Sequence, residues 1–158
     1  MKPILFDTTV WINYFKGKEY PTTELLSEYL KKDYTILLCP IILQEILQGI
    51  KDDDEYESVK ESLLAIDILE IDSKHAAIGA AELYRSLRKK GITIRKSNDC
   101  IIAYYAIYFQ VSLAHQDRDF DLISNGDLRL KIWNRKPKFY PGFLFIVLLI
   151  FTQSRITI

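Results

Sequence analysis

Five short apolar runs punctuate the first 134 residues, and stretches with helical spacing separate them. Ile4-Leu5-Phe6 comes first, followed by Thr35 to Cys39, Ile68 to Ile71, Ser112 to Ala114 and Leu128 to Trp133. Runs of this kind, apolar without alternation, read as strands buried on both faces. Strands that alternate with helices require crossover connections, which are right-handed, so they assemble a parallel sheet with helices on each side. The expected fold class is therefore α/β: an α/β/α sandwich around a central, mostly parallel sheet of about five strands.

The helices have their own punctuation. One is expected to start at Val10 and break at Gly17, and another to run from Thr22 to Lys32 with Thr22 or Thr23 as N-cap. Pro40 suits the first turn of a helix reaching Gly49, because the N–H it lacks would have had no partner there. Further helices are expected over Asp54 to Ile66, over Lys74 to Lys90 with Gly91 closing it, and over Asn98 to about Gln110 with Ser97 as cap. Asp117-Arg118-Asp119-Phe120-Asp121 is charged enough to be a solvated acidic turn.

The chain has 158 residues, of which 49% are hydrophobic and 27% charged, so it can bury a core and form a globule. Lys plus Arg equals Asp plus Glu at 21 each, so net charge announces no nucleic-acid partner, although a local basic face remains open. Cys39 and Cys100 sit in apolar surroundings without a paired spacing, which suggests reduced, buried thiols in the cytoplasm and makes a zinc site improbable. After Asp127 there is no acidic residue, and Phe143 to Phe151 is continuously apolar. We therefore divide the chain into a domain over 1–134 and an apolar extension over 135–158. That run is short of the roughly 20 residues a membrane helix needs, so an extra buried element or a dimer contact is expected, not a membrane span.

Four acidic residues fall where this topology brings the chain to one edge of the sheet: Asp7 after the first strand, Glu45 in the helix after the second, Asp99 in a helix's first turn, and Asp117 after the fourth strand. Open parallel sheets bind ligands beyond the carboxyl ends of their strands, so side chains distant in sequence can converge there. Carboxylates brought that close raise one another's pKa unless a cation neutralises them. Oxygen ligands with room left for water and phosphate suit Mg²⁺ or Mn²⁺, and such ions activate water for attack on a phosphodiester. Each residue also has a plainer role: Asp7 as an N-cap, Asp99 as a partner of the helix dipole, Asp117 as part of a solvated turn. Glu45 is the sharper signal, since a carboxylate within Ile41-Ile42-Leu43-Gln44-Glu45-Ile46-Leu47 rarely faces a core without a partner.

The segment Leu5-Phe6-Asp7-Thr8-Thr9-Val10-Trp11-Ile12-Asn13-Tyr14-Phe15 resembles the first motif of VapC-type PIN-domain toxins. Leu43 to Gly49 resembles their second motif, Asn98-Asp99-Cys100-Ile101-Ile102-Ala103 the third, and Leu113 to Phe120 the fourth. The four motifs occur in order, and the resemblance covers about residues 3 to 133. It implies a PIN-like fold and a Mg²⁺- or Mn²⁺-dependent endoribonuclease, a toxin restrained by a cognate VapB-like antitoxin and commonly a homodimer. Asp7 and Asp99 would then be the principal metal ligands, with Glu45 and Asp117 completing the cluster or holding a second ion. Thr9 would support the site through its hydroxyl, His115 would make a supporting hydrogen bond where the family often has threonine, and Asp119 would be a further participant. The basic residues Arg85, Arg88, Lys89, Lys90, Arg95 and Lys96 precede Asp99 and either guide an RNA backbone toward the site or form a solvated helix end. Tyr104, Tyr105 and Tyr108 sit at helical spacing among Ile and Ala and are expected in the core or a dimer surface.

Two other functions share the topology. A phosphoryl-accepting aspartate domain would also place Asp7 after the first strand, but a dehalogenase-like site expects Asp-x-Asp and Thr9 stands in the second place. A binding module without catalysis would keep the fold, and the presence of all four acidic residues argues against it.

Overall fold

The computed structural model describes residues 1–134. Its elements are β1 (Ile4–Phe6), α1 (Thr8–Phe15), α2 (Pro21–Lys31), β2 (Ile36–Leu38), α3 (Pro40–Leu47), α4 (Asp53–Leu64), β3 (Asp67–Ile68), α5 (Ser73–Lys89), α6 (Ser97–Tyr108), β4 (Ser112–Ala114), α7 (Arg118–Gly126) and β5 (Lys131–Ile132). The five strands form one sheet in the order β3-β2-β1-β4-β5, and every pairing is parallel. Leu5 stands opposite Leu37 on one side and Leu113 on the other. The expected α/β/α architecture is present, with the sheet parallel throughout. The apolar extension expected over 135–158 lies outside the described residues.

Burial explains why the three central strands are uninterrupted in hydrophobicity. Leu5, Phe6, Leu38, Leu113 and Ala114 are completely inaccessible, and Val10, Leu26, Ile42, Ile102, Phe120 and Ile123 meet them from the helices. Each such side chain contributes about 1.5–3 kcal/mol of transfer free energy. Tyr29 closes the core beneath β1, its ring edge-on to Phe6 at 5.5 Å and its hydroxyl donating to the Lys2 carbonyl at 2.7 Å. Cys39 and Cys100 are both buried free thiols, and burial pushes their pKa values up to about 12 and about 11.

Helices α5 and α6 make the most extensive helix pair. They approach closely at Gly79, where an added Cβ would lie 2.0 Å from Cζ of Tyr104. Gly91, with φ +76°, takes the left-handed conformation after α5 that only glycine adopts without strain. Tyr105 is buried, Tyr104 half-buried and Tyr108 half exposed, so core and surface roles divide along this one helix.

Several boundaries differ from the sequence expectation. Helix α2 begins at Pro21, and Thr23 is not its N-cap but accepts from the Tyr20 N–H at 2.9 Å from inside the helix. Ser97 lies within α6, whose N-cap is Lys96. Strand β3 starts one residue early and is shorter than expected, although the Leu69 N–H continues the ladder to the Leu38 carbonyl at 2.8 Å. The largest difference is α7: of the readings open for Asp117 to Asp121, a solvated turn is not what forms, and the segment opens a helix with Asp117 as N-cap and Phe120 and Ile123 buried three residues apart.

Candidate functional site

The carboxyl ends of β1 and β4 deliver two carboxylates as helix caps. Asp7 caps α1, accepting from the Thr9 N–H at 2.9 Å and the Thr9 hydroxyl at 2.5 Å, both on Oδ2. The same hydroxyl accepts from the Gln116 N–H at 3.1 Å, so Thr9 ties the end of β1 to the loop after β4. Asn13 and Gln116 reinforce that tie through their side-chain amides. Asp117 caps α7 by accepting from the Asp119 N–H at 3.0 Å. The capping role expected for Asp7 is thus present, and it also aims the carboxyl group at the sheet edge.

Asp99 enters from the first turn of α6 and is 5% exposed. Among the described residues, Asp99, Asp117 and Asp119 each place a carboxylate oxygen within 4.8 Å of the others. Asp7 and Glu45 stand outside that compact trio, although Asp7 is close enough to raise the Asp99 pKa and Glu45 close enough to raise that of Asp7. Asp119, 2% exposed, joins the tight group, a closer place than expected from the sequence.

Charge divides the site into two halves. On one side, Arg95 donates from its backbone N–H to Asp119 at 2.9 Å, from Nε to Asp119 at 3.1 Å and from Nη2 to Asp117 at 3.1 Å. Lys96 Nζ lies 3.5 Å from Asp117. Burial pushes the Asp117 carboxyl up, but the Asp119 N–H, Lys96 and Arg95 together hold it below the usual carboxylate range. On the other side, among the described residues, no cation pairs with Asp7 or Asp99, although the Lys96 charge pulls the Asp99 pKa down somewhat. Burial lifts Asp7 to about 6 against the hydrogen bonds from Thr9, and burial with the Asp117 and Asp7 charges lifts Asp99 to about 7. Among the described residues, Asp99 Oδ2 is buried without a hydrogen-bond partner. An unpaired buried carboxylate oxygen beside other carboxylates is the environment a divalent cation stabilises, and an all-oxygen donor set suits Mg²⁺ or Mn²⁺.

Glu45, on α3, is half-buried and held by neutral donors: the Thr8 hydroxyl to Oε2 at 2.6 Å and the Asn98 amide to Oε1 at 2.9 Å. Sequence reasoning assigned no role to Thr8 or Asn98, though each adjoins a singled-out aspartate. His115 has both ring nitrogens buried, with the Asp117 backbone beside the ring and Asp121 Oδ1 3.8 Å from Nε2; the ring rests against Phe120, and burial pushes its pKa down. Of the basic residues, Arg95 and Lys96 meet the acidic group, while Arg85, Arg88 and Lys89 are exposed on α5 and pair with none of it. Lys90 Nζ instead donates to the Gly126 carbonyl at 2.5 Å.

The PIN domain family model matches residues 4–125. VapC ribonuclease Mb1587 of Mycobacterium bovis and Ribonuclease VapC11 of Mycobacterium tuberculosis are each 34% identical over 125 residues, covering 77% of this chain and 91% of the relative. Solved structures that share the fold include two VapBC assemblies. VapBC2 from Rickettsia felis bound to a promoter DNA fragment has a TM-score of 0.65 at 23% identity, covering 85% of this chain and all of that one. DNA-bound VapBC from Salmonella typhimurium has a TM-score of 0.65 at 19% identity, covering 84% and 98%.

Proposed function

This chain belongs to the PIN-domain family, with VapC ribonucleases among its relatives, and from that premise we propose that it is a Mg²⁺- or Mn²⁺-dependent endoribonuclease, the toxin of a toxin–antitoxin pair. The observation that carries the metal dependence is the buried, unpartnered Asp99 Oδ2 beside Asp117 and Asp119, with Asp7 near enough to raise its pKa. Asp7, Glu45, Asp99 and Asp117 are assigned as the carboxylates that hold the ion or ions. Asp119 chiefly anchors Arg95, and Thr9 holds Asp7 in place.

Bound divalent metal supplies an activated water and charge stabilisation at a phosphodiester. The chain's own residues do the rest. Asp7 and Asp99, with pKa values of about 6 and about 7, would be the carboxyls that a divalent cation stabilises in the ionised form, so they would hold it. Arg95 and Lys96 have mostly exposed side chains at the cluster's rim and can contact a backbone phosphate of the RNA. Arg85, Arg88 and Lys89, exposed on α5 outside the site itself, are proposed as further RNA contacts.

The partner proposed is a VapB-like antitoxin, on the strength of the VapBC assemblies among the structural neighbours. Homodimerisation is proposed through the exposed apolar residues of α5 and α6, Ile78 and Tyr108. The buried free thiols fit a reducing compartment, the cytoplasm, and among the described residues no helix is long and apolar enough to cross a membrane. Inducible expression in a bacterial host tests the function. Growth arrest with discrete RNA fragments is expected, absent with Asp7→Asn; arrest by both forms alike, or by neither with intact RNA, would overturn it.

A further inference from the structure

Glu45 differs from the other carboxylates in how it is held. Asp117 and Asp119 lean on Arg95 and Lys96, whereas among the described residues both oxygens of Glu45 accept only from neutral donors, Thr8 at 2.6 Å and Asn98 at 2.9 Å. A neutral donor orients a carboxylate without cancelling its charge, which a cationic partner would do. Each oxygen also keeps a second lone pair, so neither hydrogen bond prevents ligation. Asn98 adjoins Asp99 in the first turn of α6, while Glu45 lies on α3. One helical turn thus carries both a buried carboxylate and the amide that ties the opposite carboxylate to it.

We propose that Asn98 is a positioning residue: its side-chain amide, from α6, fixes Glu45 on α3, so that Glu45 presents its charge to a divalent cation held at the site. Asn98 acts through Glu45 and touches neither metal nor RNA. The amide has no other hydrogen bond among the described residues, so its removal does not unpair a third group. Residues that orient metal ligands in this way typically contribute about 10- to 100-fold to affinity or activity. In the sequence Asn98 marks a helix start and a motif position, with no function attached to it.

The inference rests on the metal-dependent reading of the site, and the test separates the two. Mn²⁺ is titrated into the EDTA-stripped, dialysed full chain, with free ion read by electron paramagnetic resonance, for wild type, Asn98→Ala, Asn98→Ser, Glu45→Ala and the Asn98→Ala/Glu45→Ala pair; thermal unfolding of each is recorded in EDTA. Asn98→Ala is expected to weaken Mn²⁺ binding about 10-fold, Asn98→Ser to recover part of that through its hydroxyl, and Asn98→Ala to add nothing once Glu45 is alanine. RNA cleavage should show the loss at limiting Mn²⁺ and recover at high Mn²⁺. Wild-type affinity in Asn98→Ala, or an undiminished effect of Asn98→Ala in the Glu45→Ala background, would overturn the positioning role. An affinity loss in both Asn98 variants that only tracks a lowered unfolding temperature would overturn it too. If wild type itself binds no Mn²⁺, the metal-dependent reading is what has failed.

Discussion

Replacing Asp99 by asparagine should stabilise the metal-free protein at neutral pH while removing a metal ligand. Asp99 has its pKa raised from 3.8 to about 7, first by burial and then by the Asp117 and Asp7 charges. An acid bound more tightly to its proton when folded stabilises the fold below its unfolded pKa. That contribution fades as pH rises between the unfolded and folded values, at about 1.36 kcal/mol per pH unit. The window is therefore about pH 4 to 7. Across it the ionising carboxyl costs the native state up to about 4 kcal/mol, of which about 2–3 kcal/mol falls between pH 5 and pH 7. Asparagine is neutral throughout, and whatever its amide loses by burial is the same at every pH. At about 2–4 °C per kcal/mol for a chain of this size, the unfolding temperature of Asp99→Asn relative to wild type should climb by roughly 5–10 °C between pH 5 and pH 7.5 and then level off. The assay is circular dichroism melting in EDTA across pH 4.5 to 8.5. A difference that stays flat, or falls with pH, would refute the reasoning. Adding Mn²⁺ should reverse the order at pH 7.5, because only the wild-type site gains binding free energy.

Three further outcomes follow from neighbouring contacts. Gly79→Ala should destabilise the fold by about 1–3 kcal/mol in urea titration, because its Cβ would overlap the Tyr104 ring, yet leave Mn²⁺ affinity unchanged. Thr9→Val removes the hydroxyl shared by Asp7 and the Gln116 N–H, and should lower cleavage rate about 10- to 100-fold with the α1 cap kept by the Thr9 position's backbone N–H. Lys96→Gln should weaken RNA binding in a filter assay and reduce the slope of log affinity against log salt by about one, if Lys96 meets a phosphate; an unchanged slope would assign Lys96 to Asp117 alone.

The fold class was legible because the central strands are buried on both faces. Leu5, Phe6, Leu38 and Leu113 have no solvent side, so the apolar runs carry no alternation to confuse with a helix. Edges were harder: β3 and β5 are two residues each, and little in their composition marks where pairing starts. Helix α7 escaped because four of its first residues and cap are charged, which masks the i, i+3 pair Phe120 and Ile123. Asp119 was undervalued for the same reason. Its burial depends on Arg95, 24 residues earlier, folding its backbone N–H and guanidinium onto it. His115, given a supporting role only by the family resemblance, rests its ring against Phe120 with Asp121 Oδ1 3.8 Å from Nε2, contacts that the sequence does not mark. Position along the chain located the carboxylates at one sheet edge, but which oxygens lie together depends on side-chain contacts between distant elements.

The most direct test of the central claim is cleavage of a labelled RNA by the purified chain, free of any antitoxin, as Mn²⁺ is raised from EDTA-stripped conditions, with Asp7→Asn alongside. Cleavage that is absent in EDTA, rises to saturation with the ion and is lost in Asp7→Asn is the expected result. Cutting that persists in EDTA, or that Asp7→Asn performs at the wild-type rate, would contradict a nuclease built on these carboxylates and their metal.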